Sequence, residues 1–238
     1  MDSKHSALCE GVEALAQSDG DIAKLFSPRH DAVLSLLARY AAEIELFNPA
    51  YGLVSARDTR ELIVRHILDS LSPLGIIKRL PESREMRAPA AGNGEMRVAD
   101  VGSGAGLPGI PLAIALPAVN FSLIERMGRR AGFLRNVQAA LSLSNVAVEE
   151  ADMQKAAPGR FSVVAFRAFR PLDPAILKSL FRLCVEGGVL AAYKGRRAKI
   201  EEEMAALEHL TDGWEAIPCP VPLLDEERHL VVIRRPGF

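Results

Sequence analysis

The chain has 238 residues, 49% of them hydrophobic, and sets 29 Lys and Arg against 30 Asp and Glu for a formal net charge of −1. That length supports one large core, or one core with a small appendage. The near-neutral balance excludes a globally basic nucleic-acid binder, so any such surface must be a local patch. The longest apolar run, residues 109–119, is too short for a bilayer and contains Pro111 and Pro117. No membrane partner and no secretory signal are expected. Cys9, Cys184 and Cys219 are odd in number and lack ligand spacing, and the five histidines form no His-x-x-x-His pair. This argues against a disulfide framework and a zinc site, and for a reducing cytoplasm.

Taken in order, residues 1–80 carry apolar positions at helical spacing: Val33, Leu36, Leu37, Tyr40, Ala41, Ile44 and Phe47, then Leu62, Ile63, Ile67 and Leu71. Between the two sets, Asn48 to Gly52 holds a proline and a glycine and predicts a turn. Residues 55–71 predict a helix capped by Asp58 or Thr59, with Glu61 in its first turn. Residues 81–95, rich in Pro, Gly, Ala and charge, predict a flexible linker.

From residue 96 to 238, strand and helix patterns alternate as a parallel sheet requires. Strands are predicted at 97–101, 120–124, 146–150, 162–166 and 189–193, and helices at 107–116, 129–143, 174–184 and 198–210. Two closing strands, 214–218 and 229–234, have only a loop between them. The expectation is an α/β fold: a Rossmann-like, seven-stranded class I methyltransferase sheet with an antiparallel last pair and an N-terminal helical extension.

The first strand runs into Asp100, then Gly102, Gly104 and Gly106, then an apolar helix. A glycine turn between strand and helix brings backbone N–H groups and a helix N-terminus against a ligand. Two ligands compete. Read from Gly104, residues 104–109 satisfy the dinucleotide pattern G-x-G-x-x-G. Read from Asp100, the pattern is D-x-G-x-G-x-G, which holds S-adenosylmethionine in methyltransferases. A carboxylate at Asp100 suits an ammonium group better than a pyrophosphate, and no residues remain to build a dehydrogenase's substrate domain. The S-adenosylmethionine reading therefore leads, over a methyltransferase of another substrate class and a nicotinamide-binding protein.

In open α/β sheets ligands lie beyond the carboxyl ends of the strands. Glu125, ending the second strand, is positioned to accept from ribose hydroxyls. Met153 and the backbone of Gln154, after the third, are candidates for the adenine. Arg167, ending the fourth strand, follows apolar residues and so requires an anionic or hydrogen-bonding partner. Arg126, Arg129, Lys194, Arg196 and Arg197 cluster after the second and fifth strands and form a candidate phosphate-binding patch.

These residues resemble the RsmG (GidB) family, S-adenosylmethionine-dependent methyltransferases that modify N7 of a guanine in 16S ribosomal RNA. The resemblance rests chiefly on the stretch from Asp100 through Leu107-Pro108-Gly109-Ile110-Pro111 and on Val64 to Ser70. Arg129-Arg130, Arg167-Ala168-Phe169, Lys194-Gly195 and Glu227 to Ile233 add to it. It implies cofactor contacts at Gly102, Leu107, Met153, Gln154 and Arg167, a 530-loop target in the small ribosomal subunit, and a monomer in the cytoplasm. The family's W-N-x-x-x-N-L-T stretch reads Phe47 to Val54 here, without its tryptophan, second asparagine or threonine. Guanine N7 has an in-plane lone pair and no proton, so methylation there needs alignment and not a general base. On this reading Arg167 and Lys194 serve O6, a phosphate or the cofactor carboxylate, and Phe169 stacks on the base.

Overall fold

The computed structural model describes residues 3–80, 96–168 and 170–236. The expected linker, 81–95, and Phe169 lie outside the described residues.

Seven strands form one sheet: β1 (Arg97–Val101), β2 (Asn120–Glu125), β3 (Val146–Glu150), β4 (Phe161–Arg167), β5 (Cys184–Lys194), β6 (Trp214–Pro218) and β7 (His229–Arg234). Their order is β3-β2-β1-β4-β5-β7-β6. The first five are mutually parallel, and β7 runs antiparallel to both β5 and β6. The sheet and its reversed last strand are as the sequence predicts. Chain direction changes side at β1, between β2 and β4, so a crevice opens beyond its carboxyl end.

Alternation along the strands divides the core. Val98, Leu123, Val163, Ala165 and Val232 face helices α7 (Gly109–Ala115) and α8 (Gly128–Ala140). Ala99, Val101, Val164, Phe166 and Ile233 face α9 (Pro174–Leu183) and α10 (Arg197–Ala205). The N-terminal helices join the first of these cores. They are α1 (Ser3–Ser18), α2 (Gly20–Phe26), α3 (His30–Tyr51), α4 (Thr59–Leu62), α5 (Asp69–Leu71) and α6 (Leu74–Arg79).

Two local departures from the sequence reading shape this extension. The predicted turn at Asn48–Gly52 is helical up to Tyr51, because Pro49 near the end of α3 costs little where few bonds follow it. Gly52 then stops the helix in the left-handed conformation, φ 58°. The Asn48 carboxamide accepts from the N–H groups of Leu53 and Val54 at 2.8 and 2.9 Å. Asparagine is the usual alternative to glycine in a left-handed cap, so replacing the family's second asparagine with Gly52 preserves the turn.

The predicted helix at 55–71 begins at Thr59, with Asp58 accepting from the Glu61 N–H at 2.8 Å. Its centre, Ile63–Leu68, is a π-helix. There the Asp69 N–H turns to the His66 carbonyl, and the Arg65 carbonyl accepts instead from the Arg167 guanidinium at 3.2 Å. A π segment thus opens the helix to a side chain from the sheet. The helix expected at 198–210 also breaks up, into α10 and a short 3-10 turn at Glu208–Leu210.

Candidate active site

The glycine loop is held by two carboxylates. Asp100 is 1% exposed and lies beneath the loop, where Oδ2 accepts from the Ser103 hydroxyl at 2.7 Å and the Gly109 N–H at 2.9 Å. This differs from the expected position beside a ligand ammonium: the side chain fastens strand to helix. Burial pushes its carboxyl up to about 6, against those two donors and the charge of Arg167. Glu125 accepts from the Gly104 N–H at 2.9 Å and the Met127 N–H at 2.8 Å.

The three glycines do different things. A Cβ at Gly104 (φ 60°) would meet only open space and the Gly102 carbonyl at 3.8 Å. One at Gly106 (φ 93°) would sit 2.5 Å from Ile110 and 3.3 Å from the Tyr40 hydroxyl, so Gly106 serves close packing. Gly102 also has positive φ, 70°. Leu107 is buried in the core beneath the loop.

Six of the loop's N–H groups already have acceptors. The N–H groups of Gly102 and Ser103 go to the Ile124 carbonyl, those of Gly106 and Leu107 to the Ser103 carbonyl, and those of Gly104 and Gly109 to the carboxylates. A pyrophosphate seated there would meet spent donors and two acids. The geometry therefore opposes the dinucleotide reading.

Beyond the loop is a cavity of about 460 Å³, lined by Gly102, Glu125, Arg130, Asp152, Met153 and Gln154 among others. Asp152 and Glu125 face it together with Arg126, Arg130 and Arg170. Arg130 Nε is buried with no hydrogen-bond partner among the described residues. The Gln154 backbone, expected to meet adenine, is committed elsewhere: its N–H donates to Asp152 Oδ1 at 2.9 Å and its carbonyl accepts from Arg182 at 2.9 Å.

A second cavity, about 240 Å³, lies beside the first, and both are lined by Ala168 (φ 50°) at the end of β4. Its walls include His66, Asp69, Arg167, Tyr193, Lys194 and His229. The partner that Arg167 requires is Asp69, at 2.8 Å; Asp69 also binds Arg228 at 3.1 Å. Arg228 continues to Glu226, and Glu226 to Arg65, so the N-terminal helices are pinned to the β7 end of the sheet. Arg167 Nη2 faces His66 Nδ1 at 3.2 Å, while Nε is buried with no hydrogen-bond partner among the described residues. Burial, and next the charge of Arg167, lower the His66 pKa. The Tyr193 hydroxyl donates to the Ser70 carbonyl at 2.9 Å, and burial holds its pKa well above the usual phenol value.

The candidate basic patch is divided. Arg126, Arg129 and Arg196 are exposed, and Arg129 also reaches the Ala50 carbonyl and lies over the Tyr51 ring. Lys194 is paired with Glu203 at 2.8 Å, and Arg197 with Glu201 at 2.9 Å. The i,i+4 spacing of Arg197 and Glu201 on a helix makes that pair legible in hindsight. Asp69 and Arg228 lie within the stretches Val64 to Ser70 and Glu227 to Ile233, but nothing local in the sequence marks them as partners of Arg167 and of each other, and Arg182 carries no signal beyond its place at a helix end. No His, Cys, Asp or Glu cluster among the described residues could hold a metal. No described helix is long and apolar enough to cross a membrane.

The strand order, with its reversed last strand and carboxylate-braced glycine loop, defines a class I S-adenosylmethionine-dependent methyltransferase fold. Solved structures share it: a putative S-adenosylmethionine-dependent methyltransferase from Methanococcus maripaludis (TM-score 0.54, 13% identity, 83% of this chain and 93% of that one). Another is the tRNA (m1A58) methyltransferase TrmI from Aquifex aeolicus (TM-score 0.53, 14% identity, 72% and 69%). Within that class the chain belongs to the GidB family, rRNA small subunit methyltransferase G, which it matches over residues 33–231. It is 39% identical over 238 residues to the ribosomal RNA small subunit methyltransferase G of Treponema pallidum (98% of this chain, 96% of that one). To the protein of that name from Klebsiella pneumoniae it is 39% identical over 199 residues (83% and 87%).

Proposed function

We propose that this chain transfers the methyl group of S-adenosylmethionine to N7 of a guanine in 16S ribosomal RNA, in the 530-loop region of the small subunit. The observation that carries the reading is the meeting of two cavities at Ala168, on the strand end where such sheets place their chemistry. The larger cavity fits the cofactor. It offers Glu125 for the ribose, the exposed backbone of Gly102, a mixed set of acids and arginines for a zwitterion, and Met153 for the adenine. S-adenosylmethionine bound there supplies an electrophilic methyl on a sulfonium.

The smaller cavity supports a nucleophile that needs no base. Asp69 is spent on two arginines, and Tyr193 is held protonated as a donor. His66 accepts from Arg167 at Nδ1 and donates from Nε2 to the Ser55 carbonyl at 3.3 Å, a tautomer set by this network. The His229 Nδ1 donates to the Gly195 carbonyl at 2.7 Å, so that nitrogen takes no proton from a substrate. Arg167 suits the guanine O6 or the cofactor carboxylate. Arg126, Arg129 and Arg196 supply the phosphate contacts, with Lys194 and Arg197 adding less because acids already neutralise them.

The test is mass spectrometry of ribosomal RNA nucleosides from cells with and without the gene. The reading requires one 7-methylguanosine of 16S RNA to disappear with the gene. An unchanged nucleoside profile refutes it.

A further inference from the structure

The loop between β3 and β4 has no regular structure, yet one guanidinium nitrogen organises it. Arg182, half-buried in the last turn of α9, places Nη2 within 2.8 Å of the Met153 carbonyl, 2.9 Å of Gln154 and 2.7 Å of Ala156. The Arg182 carbonyl accepts in turn from the Gly159 N–H at 2.9 Å. Arg182 does not line the larger cavity, whereas Asp152, Met153 and Gln154 do. Hydrogen bonds from an ionised donor are roughly twice as strong as neutral ones, so one charged nitrogen shared among three carbonyls ties the loop together.

We infer that Arg182 is the positioning residue for adenine recognition: by gathering three carbonyls away from the cavity it fixes how Asp152 and Met153 are presented to the base. This rests on reading that cavity as the S-adenosylmethionine site. The two peptide groups of Gln154 are occupied, by Asp152 and by Arg182 itself, so discrimination at the adenine edge falls to the Asp152 carboxylate and the Met153 surface. A loosened loop would still bury a purine but would read its edge less well.

The experiment is calorimetry, without RNA, of S-adenosylhomocysteine and its inosine counterpart, in which the adenine amino group is an oxo group. Wild type is expected to prefer the adenine ligand. Arg182→Gln is expected to bind S-adenosylhomocysteine about tenfold more weakly while the inosine ligand changes by less than about twofold. Arg182→Lys, which keeps a charge and three donors, should recover most of the preference, with kcat at saturating cofactor near that of wild type. Equal weakening of both ligands, or of neither, overturns the inference. Hydrogen exchange on the unmodified protein gives a second reading: S-adenosylhomocysteine should slow exchange at Ala156 and Gly159, and unchanged exchange there also overturns it. A wild type that binds neither ligand would instead refute the S-adenosylmethionine reading.

Discussion

Asp69 and Arg167 meet at 2.8 Å although 98 residues separate them, one on an N-terminal helix and the other at the end of the central β4 strand. Their side chains are 7% and 13% exposed, so the pair is largely out of water. Removing one member of such a pair strands the other, at a cost of about 3–5 kcal/mol. Asp69→Ala should therefore lower stability by about 3 kcal/mol in urea unfolding, since Arg228 retains Glu226 but Arg167 retains only a carbonyl and an imidazole. Adding Arg167→Met should recover part of that loss. Additive single effects would show that the pair carries no coupling.

The glycines should separate binding from folding. Gly104→Ala meets no neighbour closer than 3.8 Å and adds only left-handed strain of about 1–2 kcal/mol. The Gly104 N–H holds Glu125, which lines the larger cavity, so disturbing this residue should lower cofactor affinity. Gly106→Ala must displace Ile110 and carries strain as well, so it should cost more in stability than Gly104→Ala. Thermal unfolding and cofactor titration of both variants test this; equal losses of stability would contradict it.

Asp100 gives a pH dependence. Its carboxyl is raised from 3.8 to about 6 in the fold, so the native state holds that proton more tightly than the unfolded chain. The resulting stabilisation is complete below about pH 4 and is lost as the pH rises through 6, an effect of about 2–3 kcal/mol. Asp100→Asn cannot titrate. Relative to wild type without cofactor it should gain about that much stability between pH 4 and pH 8, measured by denaturant unfolding. A difference that stays constant with pH would remove the shift.

Affinity for a single-stranded RNA fragment should fall with salt, with a slope near −0.7 per phosphate contacted. Replacing Arg126, Arg129 and Arg196 together should flatten the slope by about 2. Replacing Lys194 and Arg197, each already paired with a glutamate, should flatten it less. The opposite ranking would show that the paired cations, and not the three exposed arginines, carry the RNA.

The sheet was legible because alternation and βα spacing are local signals: the predicted and observed limits agree for β1, β3, β6 and β7. The antiparallel close followed from having too few residues for another crossover helix. The glycine loop was legible as a strand-to-helix turn, but not the division between Gly104, which faces open space, and Gly106, which packs on Ile110, since packing depends on distant residues. Arg167 could be seen to need a partner, while the identity of that partner, Asp69, required the tertiary fold. The π-helix over Ile63–Leu68 gave no periodic signal, because a single register change alters the apolar spacing too little to read. Lys194 shows the converse error: a cation near a ligand edge looks free until Glu203, on the following helix, is placed beside it.

The target atom is best tested with small-subunit RNA in which the acceptor guanine is replaced by 7-deazaguanine. That base keeps the Watson–Crick edge, O6 and the stacking face but has carbon in place of N7. Contacts to phosphates, to O6 and to the base plane are retained, so binding should be close to that of the unmodified RNA. Methyl transfer to the analogue should be abolished. Transfer at an ordinary rate would contradict the account, because another atom would then be the nucleophile and the two cavities at Ala168 would serve a different reaction.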